Sequence, residues 1–253
     1  MAKKKPSSSN TKVLTKVNGS YEFPSNFSQL AIKNLAYAPS IECPIPGQVI
    51  LISKFLSPQI CQELIVSFES GLNIVTTPLI KSKDYAARVN DRALKTDYEA
   101  SETLWKYLQK YIFYQSEYES EDESETRFIK EEFKNAIGLN PQLRIYRYLK
   151  GHYFGKHYDD SVTAFVDSKE KVKGLSHWTL LIYLTGDTEF EGGGTVFHYN
   201  DPESRNLVAL NVHPSKGMAL LHKHGDDCLL HEAELVNSGV KWVLRSDVVF
   251  PLS

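Results

Sequence analysis

The chain has 253 residues, 42% of them apolar, and a formal net charge of −2. That is enough to bury one sizeable core, and it excludes a mini-protein, a disulfide scaffold and a wholly disordered chain. The near balance of Lys plus Arg (29) against Asp plus Glu (31) gives no global attraction to nucleic acid or to an anionic membrane surface. The three cysteines, Cys43, Cys61 and Cys228, are widely spaced and odd in number, which points to a reducing compartment. The eight histidines are concentrated: none precedes His152. Histidine is the commonest transition-metal ligand, so the C-terminal part is where a site is expected.

Residues 1–19 are rich in Lys, Ser, Thr and Asn and lack the apolar stretch of a secretory signal; they read as a flexible tail. Lys3-Lys4-Lys5 fits a solvated terminus, with a nuclear address as the alternative. No run approaches the roughly 20 apolar residues of a membrane-spanning helix. The expectation is therefore a soluble protein of the cytoplasm or nucleus, with one domain from residue 20 to 253 and no membrane partner. A short strand is predicted over 49–55. Ser57-Pro58 then reads as N-cap and first residue of a helix, with Ile60, Leu64, Ile65 and Phe68 on its buried face and Gly71 as its stop. A second helix is predicted over 98–114, with Leu104, Leu108, Tyr111 and Ile112 as its stripe around Trp105. Between the two helices, residues 87–92 form a polar segment without periodicity. Residues 117–125 are an acidic run, read as a solvated loop, and 128–137 as a third short helix.

From Leu143 onward the pattern changes to strands, at 143–148, 153–159, 178–184, 195–199, 207–212, 218–222 and 241–250. They are rich in Val, Ile, Leu, Tyr and Trp and are separated by turn residues. Helices followed by many short strands predict an α+β protein with an antiparallel sandwich or barrel.

The strongest local signal is His157-Tyr158-Asp159. Residues i and i+2 of a strand share a face, so His157 and Asp159 aim an imidazole and a carboxylate at one point, while Asp160 points away. His231, after the apolar Leu229-Leu230, is the candidate third ligand. Two histidines and one carboxylate with open positions form the facial triad of non-haem Fe(II) oxygenases, and the open face can hold a bidentate co-substrate together with O2. A dicarboxylate such as 2-oxoglutarate then requires a fixed cation for its far end. Lys241 and Arg245 lie on one face of the last strand, and either supplies it. A competing pair, His222-x-His224 with Asp226 and Asp227, sits at a strand end beside Gly225, where side chains are expected to splay into solvent. His152, His177, His198 and His213 read as surface or loop residues, and Cys228 as a small buried residue. Gly192-Gly193-Gly194 precedes a strand rather than a helix, so it reads as a turn and not a phosphate cradle. There is no GxSxG elbow, P-loop or dinucleotide-binding fingerprint.

These residues carry a resemblance. Arg147-Tyr148-x-x-Gly151-x-x-Phe154-x-x-His157-x-Asp159, Gly192-Gly193-Gly194-Thr195-x-Phe197, and His231 with Gly239 and Lys241 resemble, in order, the motifs of prolyl 4-hydroxylase-type 2-oxoglutarate/Fe(II) dioxygenases. Arg88-Val89-Asn90-Asp91-Arg92 and the Leu104-Trp105 helix are similar, less specifically, to the region before the barrel. The resemblance implies a double-stranded β-helix (jelly-roll) core supported by N-terminal helices. It implies that His157, Asp159 and His231 hold Fe(II) and that Lys241 pairs with the distal carboxylate of 2-oxoglutarate. It further implies that Tyr148 and Tyr183 line the co-substrate pocket. Arg245 departs from the family pattern as a second inward basic residue. O2 is the second co-substrate implied and ascorbate a candidate reductant. The implied reaction is hydroxylation of a C–H bond, a prolyl residue of a protein or peptide first, with release of succinate and CO2. A small-molecule substrate is the next reading. Near-zero net charge disfavours nucleic acid. The rival from another class is a non-catalytic jelly-roll binding or assembly protein with a vestigial metal site. The substrate and the oligomeric state are not encoded in any motif.

Overall fold

The computed structural model describes residues 21–35, 38–77, 79, 86–114, 124–201 and 204–252. The tail, Lys3–Lys5 and most of the acidic run lie outside the described residues. The N-terminal part contains α1 (Ser25–Ser28), β1 (Ser40–Ile45), β2 (Val49–Ser53), α2 (Pro58–Gly71), β3 (Val75–Thr76), β4 (Arg88–Val89), β5 (Asp91–Thr96), α3 (Tyr98–Ile112) and α4 (Ser124–Phe133). The strand-rich part follows with β6 (Gly138–Leu139), β7 (Gln142–Tyr148), β8 (Tyr153–His157), β9 (Thr163–Phe165), β10 (Lys173–Tyr183), β11 (Phe190–Gly192) and β12 (Thr195–Asn200). It ends with β13 (Leu207–Val212), β14 (Ala219–Lys223), β15 (Leu230–Ala233), β16 (Val236–Gly239) and β17 (Lys241–Pro251).

The two long helices form where the sequence places them. The Ser57 hydroxyl accepts from the Ile60 N–H with Pro58 at the first position, and the Asp97 carboxylate accepts from the Ala100 N–H. Ile60, Leu64, Ile65 and Phe68 of α2 and Leu104, Leu108, Tyr111 and Ile112 of α3 are buried. The third helix starts earlier than its pattern suggests and ends at Phe133, which packs on Trp178. The polar segment after residue 87 contributes two strands, β4 and β5. Their partners, β8 and β7, supply the hydrogen bonds that composition alone does not reveal.

The strands build a jelly roll. The large sheet runs β1-β2-β14-β10-β17-β7-β5-β3, with β6 and β9 added to β17 and β10; the facing sheet runs β13-β12-β15-β8-β4, and β11 pairs with β16. All these pairings are antiparallel. The period of two sorts each large-sheet strand. Leu143 and Ile145, Trp178, Leu180 and Ile182, Ala219 and Leu221, Trp242 and Leu244 join the core shared with the helices. Their neighbours Tyr146 and Tyr148, Tyr183, Leu220 and Val243 face the second sheet. The inward face is where Thr179, His222, Lys241 and Arg245 also lie. Both faces being covered explains why these strands read as nearly continuous apolar runs.

Gly239 sets up the last strand. Its φ is +76°, and a Cβ there would lie 2.1 Å from the Glu189 carbonyl oxygen. Gly239→Ala is therefore expected to cost about 2 kcal/mol, the usual scale of a strained backbone position, read as a lower urea midpoint at unchanged m-value.

Candidate metal and co-substrate site

Strand register brings the predicted ligands together. On the small sheet His157 of β8 and His231 of β15 are direct cross-strand partners. Two residues after His157, just beyond the end of β8, Asp159 turns inward and is buried, while Tyr158 and Asp160 are exposed. His157 Nε2 lies 3.7 Å from Asp159 Oδ1, and His231 Nε2 lies 3.7 Å from Asp159 Oδ2. One donor atom from each of the three residues falls within 4.8 Å of the others.

The backbone fixes the tautomers. His157 Nδ1 donates to the Gly155 carbonyl (2.8 Å) and His231 Nδ1 to the Leu229 carbonyl (2.9 Å), so each Nε2 carries a lone pair rather than a proton. Burial, the largest cause, pushes His157 down to about 4 and lowers His231 as well. Both rings are therefore neutral near pH 7, the form in which imidazole binds metal. Phe154 stacks on His157 at 3.6 Å between ring centres, and Phe197 lies 5.7 Å from His231. Two lone pairs facing a carboxylate, each imidazole oriented by a second hydrogen bond, form a donor set that Fe(II) fits.

A network behind Asp159 holds its carboxylate. Arg245 Nη1 donates at 3.1 Å to Oδ1 and lies 3.0 Å from Oδ2 as an ion pair, and Thr179 Oγ1 donates to Oδ2 at 3.0 Å. Burial alone would raise this carboxyl. The Arg245 guanidinium outweighs it and holds the group well below the usual carboxylate range. Arg245 also contacts Asp247 (3.2 Å), which Arg144 holds from the other side at 2.8 Å. His224 completes a relay: Ser176 Oγ, receiving the Val162 N–H, donates to His224 Nε2, and His224 Nδ1 donates to Thr179 Oγ1.

These contacts correct the expectation for His222 and His224. Neither splays into solvent; they are 2% and 4% exposed. β14 runs one residue past His222, and the backbone N–H of His224 still bonds to the large sheet at the His177 carbonyl. The alternation of Leu220 and His222 on one face was the available signal. His213 and His177 are exposed as expected, while His152 and His198 are half-buried. Cys228 is buried and free; it accepts the Asp159 N–H, and burial pushes its thiol up to about 11.

Lys241 and Arg245 lie on the predicted face but differ in occupation. Arg245 is engaged by two carboxylates. Lys241 is 2% exposed, donates to the Gly193 carbonyl at 2.5 Å, and sits 5.5 Å and 5.3 Å from the rings of Tyr148 and Tyr183. Among the described residues it forms no ion pair, and the nearest carboxylate influence, Glu234, acts from beyond that distance. Burial lowers its ammonium to about 7. Tyr183 OH and Thr195 Oγ1 bond at 2.7 Å. One cavity is lined by all of these groups: His157, Asp159 and His231, with Tyr148, Tyr183, Lys241 and Arg245.

Arg245→Met would strand Asp159 as a buried unpaired carboxylate. In metal-free protein it is expected to cost about 3–5 kcal/mol. Asp159→Asn added to it should recover part of that loss in urea unfolding; no recovery would show that the pair is not what Arg245 contributes.

Comparison with known proteins agrees with this geometry. The 2OG-Fe(II) oxygenase superfamily profile matches residues 143–246. A search of curated proteins found no match. Solved structures with a similar fold include a prolyl hydroxylase from Trichoplax adhaerens in complex with a hypoxia-inducible factor peptide fragment (TM-score 0.50, 15% identity, 89% of this chain and 91% of that one). Others are the viral collagen prolyl hydroxylase of Paramecium Bursaria Chlorella virus-1 (0.49, 20%, 80% and 96%) and a Pseudomonas putida prolyl-4-hydroxylase (0.47, 13%, 90% and 100%). At 15% identity the Trichoplax structure speaks to fold alone. No helix among the described residues is long and apolar enough to cross a membrane. The matched segment contains every residue that lines the cavity, from Tyr146 to Arg245, and resembles the 2OG-Fe(II) oxygenase superfamily, oxidoreductases that depend on Fe(II), 2-oxoglutarate and O2.

Proposed function

We propose that this chain is a 2-oxoglutarate- and Fe(II)-dependent oxygenase that hydroxylates a prolyl residue in a protein or peptide, releasing succinate and CO2. His157, Asp159 and His231 hold the iron, and Lys241 anchors the distal carboxylate of 2-oxoglutarate. The observation that carries the residue roles is the shared cavity: two bare imidazole nitrogens and a carboxylate lie at one point, with a buried lysine that makes no ion pair among the described residues on the same wall. When bound, the iron and 2-oxoglutarate supply the activation of O2, one oxygen atom going to succinate and the other into a substrate C–H bond. The chain supplies placement and water exclusion. Arg245 and Thr179 fix the Asp159 carboxylate, Phe154 fixes the His157 ring, and Tyr148 and Tyr183 wall the lysine from solvent. Lys241 is favoured over Arg245 as anchor because Arg245 already has Asp159 and Asp247 as partners. The prolyl reading rests on the motif resemblance and on the Trichoplax structure, a prolyl hydroxylase with a bound peptide fragment.

Iron-dependent succinate formation from 2-oxoglutarate should occur in wild type and vanish in Asp159→Ala; equal turnover would sink the ligand assignment. With proline-containing peptides, mass spectrometry should show the gain of one oxygen atom, absent in Asp159→Ala. Lys241→Ala should raise the 2-oxoglutarate KM on the order of tenfold or more, the effect of losing a charge-assisted pair, whereas Arg245→Ala doing so instead would transfer the anchor.

The lysine also sets a pH dependence. With burial bringing Lys241 to about 7, the free site loses its ammonium as pH rises through that value, and a bound dicarboxylate must restore the proton. Affinity for 2-oxoglutarate, measured by calorimetry with Mn(II) present, should fall between about pH 6.5 and pH 8.5 with uptake of a proton from buffer. Buffer-independent heats would contradict this.

A further inference from the structure

His222 lies beside two of the three predicted iron ligands, Asp159 and His231. Its Nδ1 contacts the Lys223 carbonyl at 3.0 Å, which can only accept, so the proton is on Nδ1 and Nε2 carries a bare lone pair. That Nε2 is buried and has no hydrogen-bond partner. It lies 3.6 Å from Asp159 Oδ2, as close as His231 Nε2 at 3.7 Å, and the rings of His222 and His231 are 4.5 Å apart. A buried acceptor without a donor is destabilising, and here it faces a carboxylate, a second acceptor. A cation satisfies both. The same backbone device that frees Nε2 in His157 and His231 is thus repeated a third time, from the opposite sheet: β14 rather than β8 or β15.

We propose that His222 is a further ligand of the metal site, so that before co-substrate binds the metal is held by three imidazole nitrogens and the Asp159 carboxylate. This rests on the reading of His157, Asp159 and His231 as the iron triad. A fourth protein donor would leave fewer positions for a 2-oxo acid and O2, so His222 would hold the metal while co-substrate is absent. Cys228, near both histidines, is not the donor: its sulfur is a thiol, accepting from the Asp159 N–H and donating to the Leu229 carbonyl.

The test uses Co(II)-loaded full-length protein without 2-oxoglutarate. X-ray absorption should count three imidazoles in wild type and two in His222→Phe. Chelator competition should show the variant binding Co(II) on the order of tenfold or more weakly. Metal-free His222→Phe should melt at or above the wild-type temperature, since it removes an unpaired acceptor; should it fail to fold, His222→Gln, which keeps a polar group but no imidazole, takes its place with the same expected count. Two imidazoles in wild type, or unchanged affinity in the folded variant, overturns the proposal. His157→Ala separates the two readings: if it abolishes Co(II) binding while His222→Phe leaves binding untouched, the triad stands and the fourth ligand falls. Failure of wild type to bind Co(II) removes both.

Discussion

The buried carboxylate of Asp159 is the constraint around which the site is arranged. An ionised carboxyl in an interior needs charge and hydrogen bonds of opposite sense, or it takes up a proton. Here Arg245 and Thr179 supply them from β17 and β10 of the large sheet. The side facing the cavity holds unprotonated imidazole nitrogens instead of donors. The carboxylate is thus kept ionised without its inward lone pairs being consumed, which is what a metal ligand requires. Asp247, Arg144 and the His224 relay extend that support outward, so the ligand is held by a chain of groups that reaches the helix-facing strands.

The sheet period does the sorting. On β10, Trp178, Leu180 and Ile182 anchor the helices while Thr179 and Tyr183 face inward; on β17, Trp242 and Leu244 do the same for Lys241, Val243 and Arg245. Every second residue belongs to stability and the alternate residue to the cavity. A one-residue slip of β17 would exchange Lys241 and Arg245 for apolar side chains. Gly239, where a side chain would strike the Glu189 carbonyl, and the large core under the sheet hold that register.

Much of this was legible in the chain. His157 and Asp159 announce themselves by spacing, the caps Ser57-Pro58 by local chemistry, and Lys241 with Arg245 by period two. The jelly roll follows from ordered motifs, each weak alone. Three things were not legible. The strand Asp91–Thr96 depends on β7 as its partner, and a polar sequence of that length has no signature by itself. The engagement of Arg245 with Asp159 joins residues far apart in sequence and brought together only by the fold. His222 was misplaced because Gly225 signals a turn, yet the strand holds until Lys223 and keeps the ring inside. Burial of a polar residue at a strand end is decided by what packs over it, here Phe197 from the other sheet at 5.4 Å.

The account stands or falls on where a metal and a dicarboxylate bind in the intact chain. A crystal structure with Mn(II) and 2-oxoglutarate, grown without O2, measures this directly. It should show an anomalous metal peak bounded by His157 Nε2, His231 Nε2 and an Asp159 oxygen, with the distal carboxylate of 2-oxoglutarate against Lys241 Nζ between Tyr148 and Tyr183. A metal peak elsewhere, or a distal carboxylate held by Arg245 with Asp159 turned away, would contradict it.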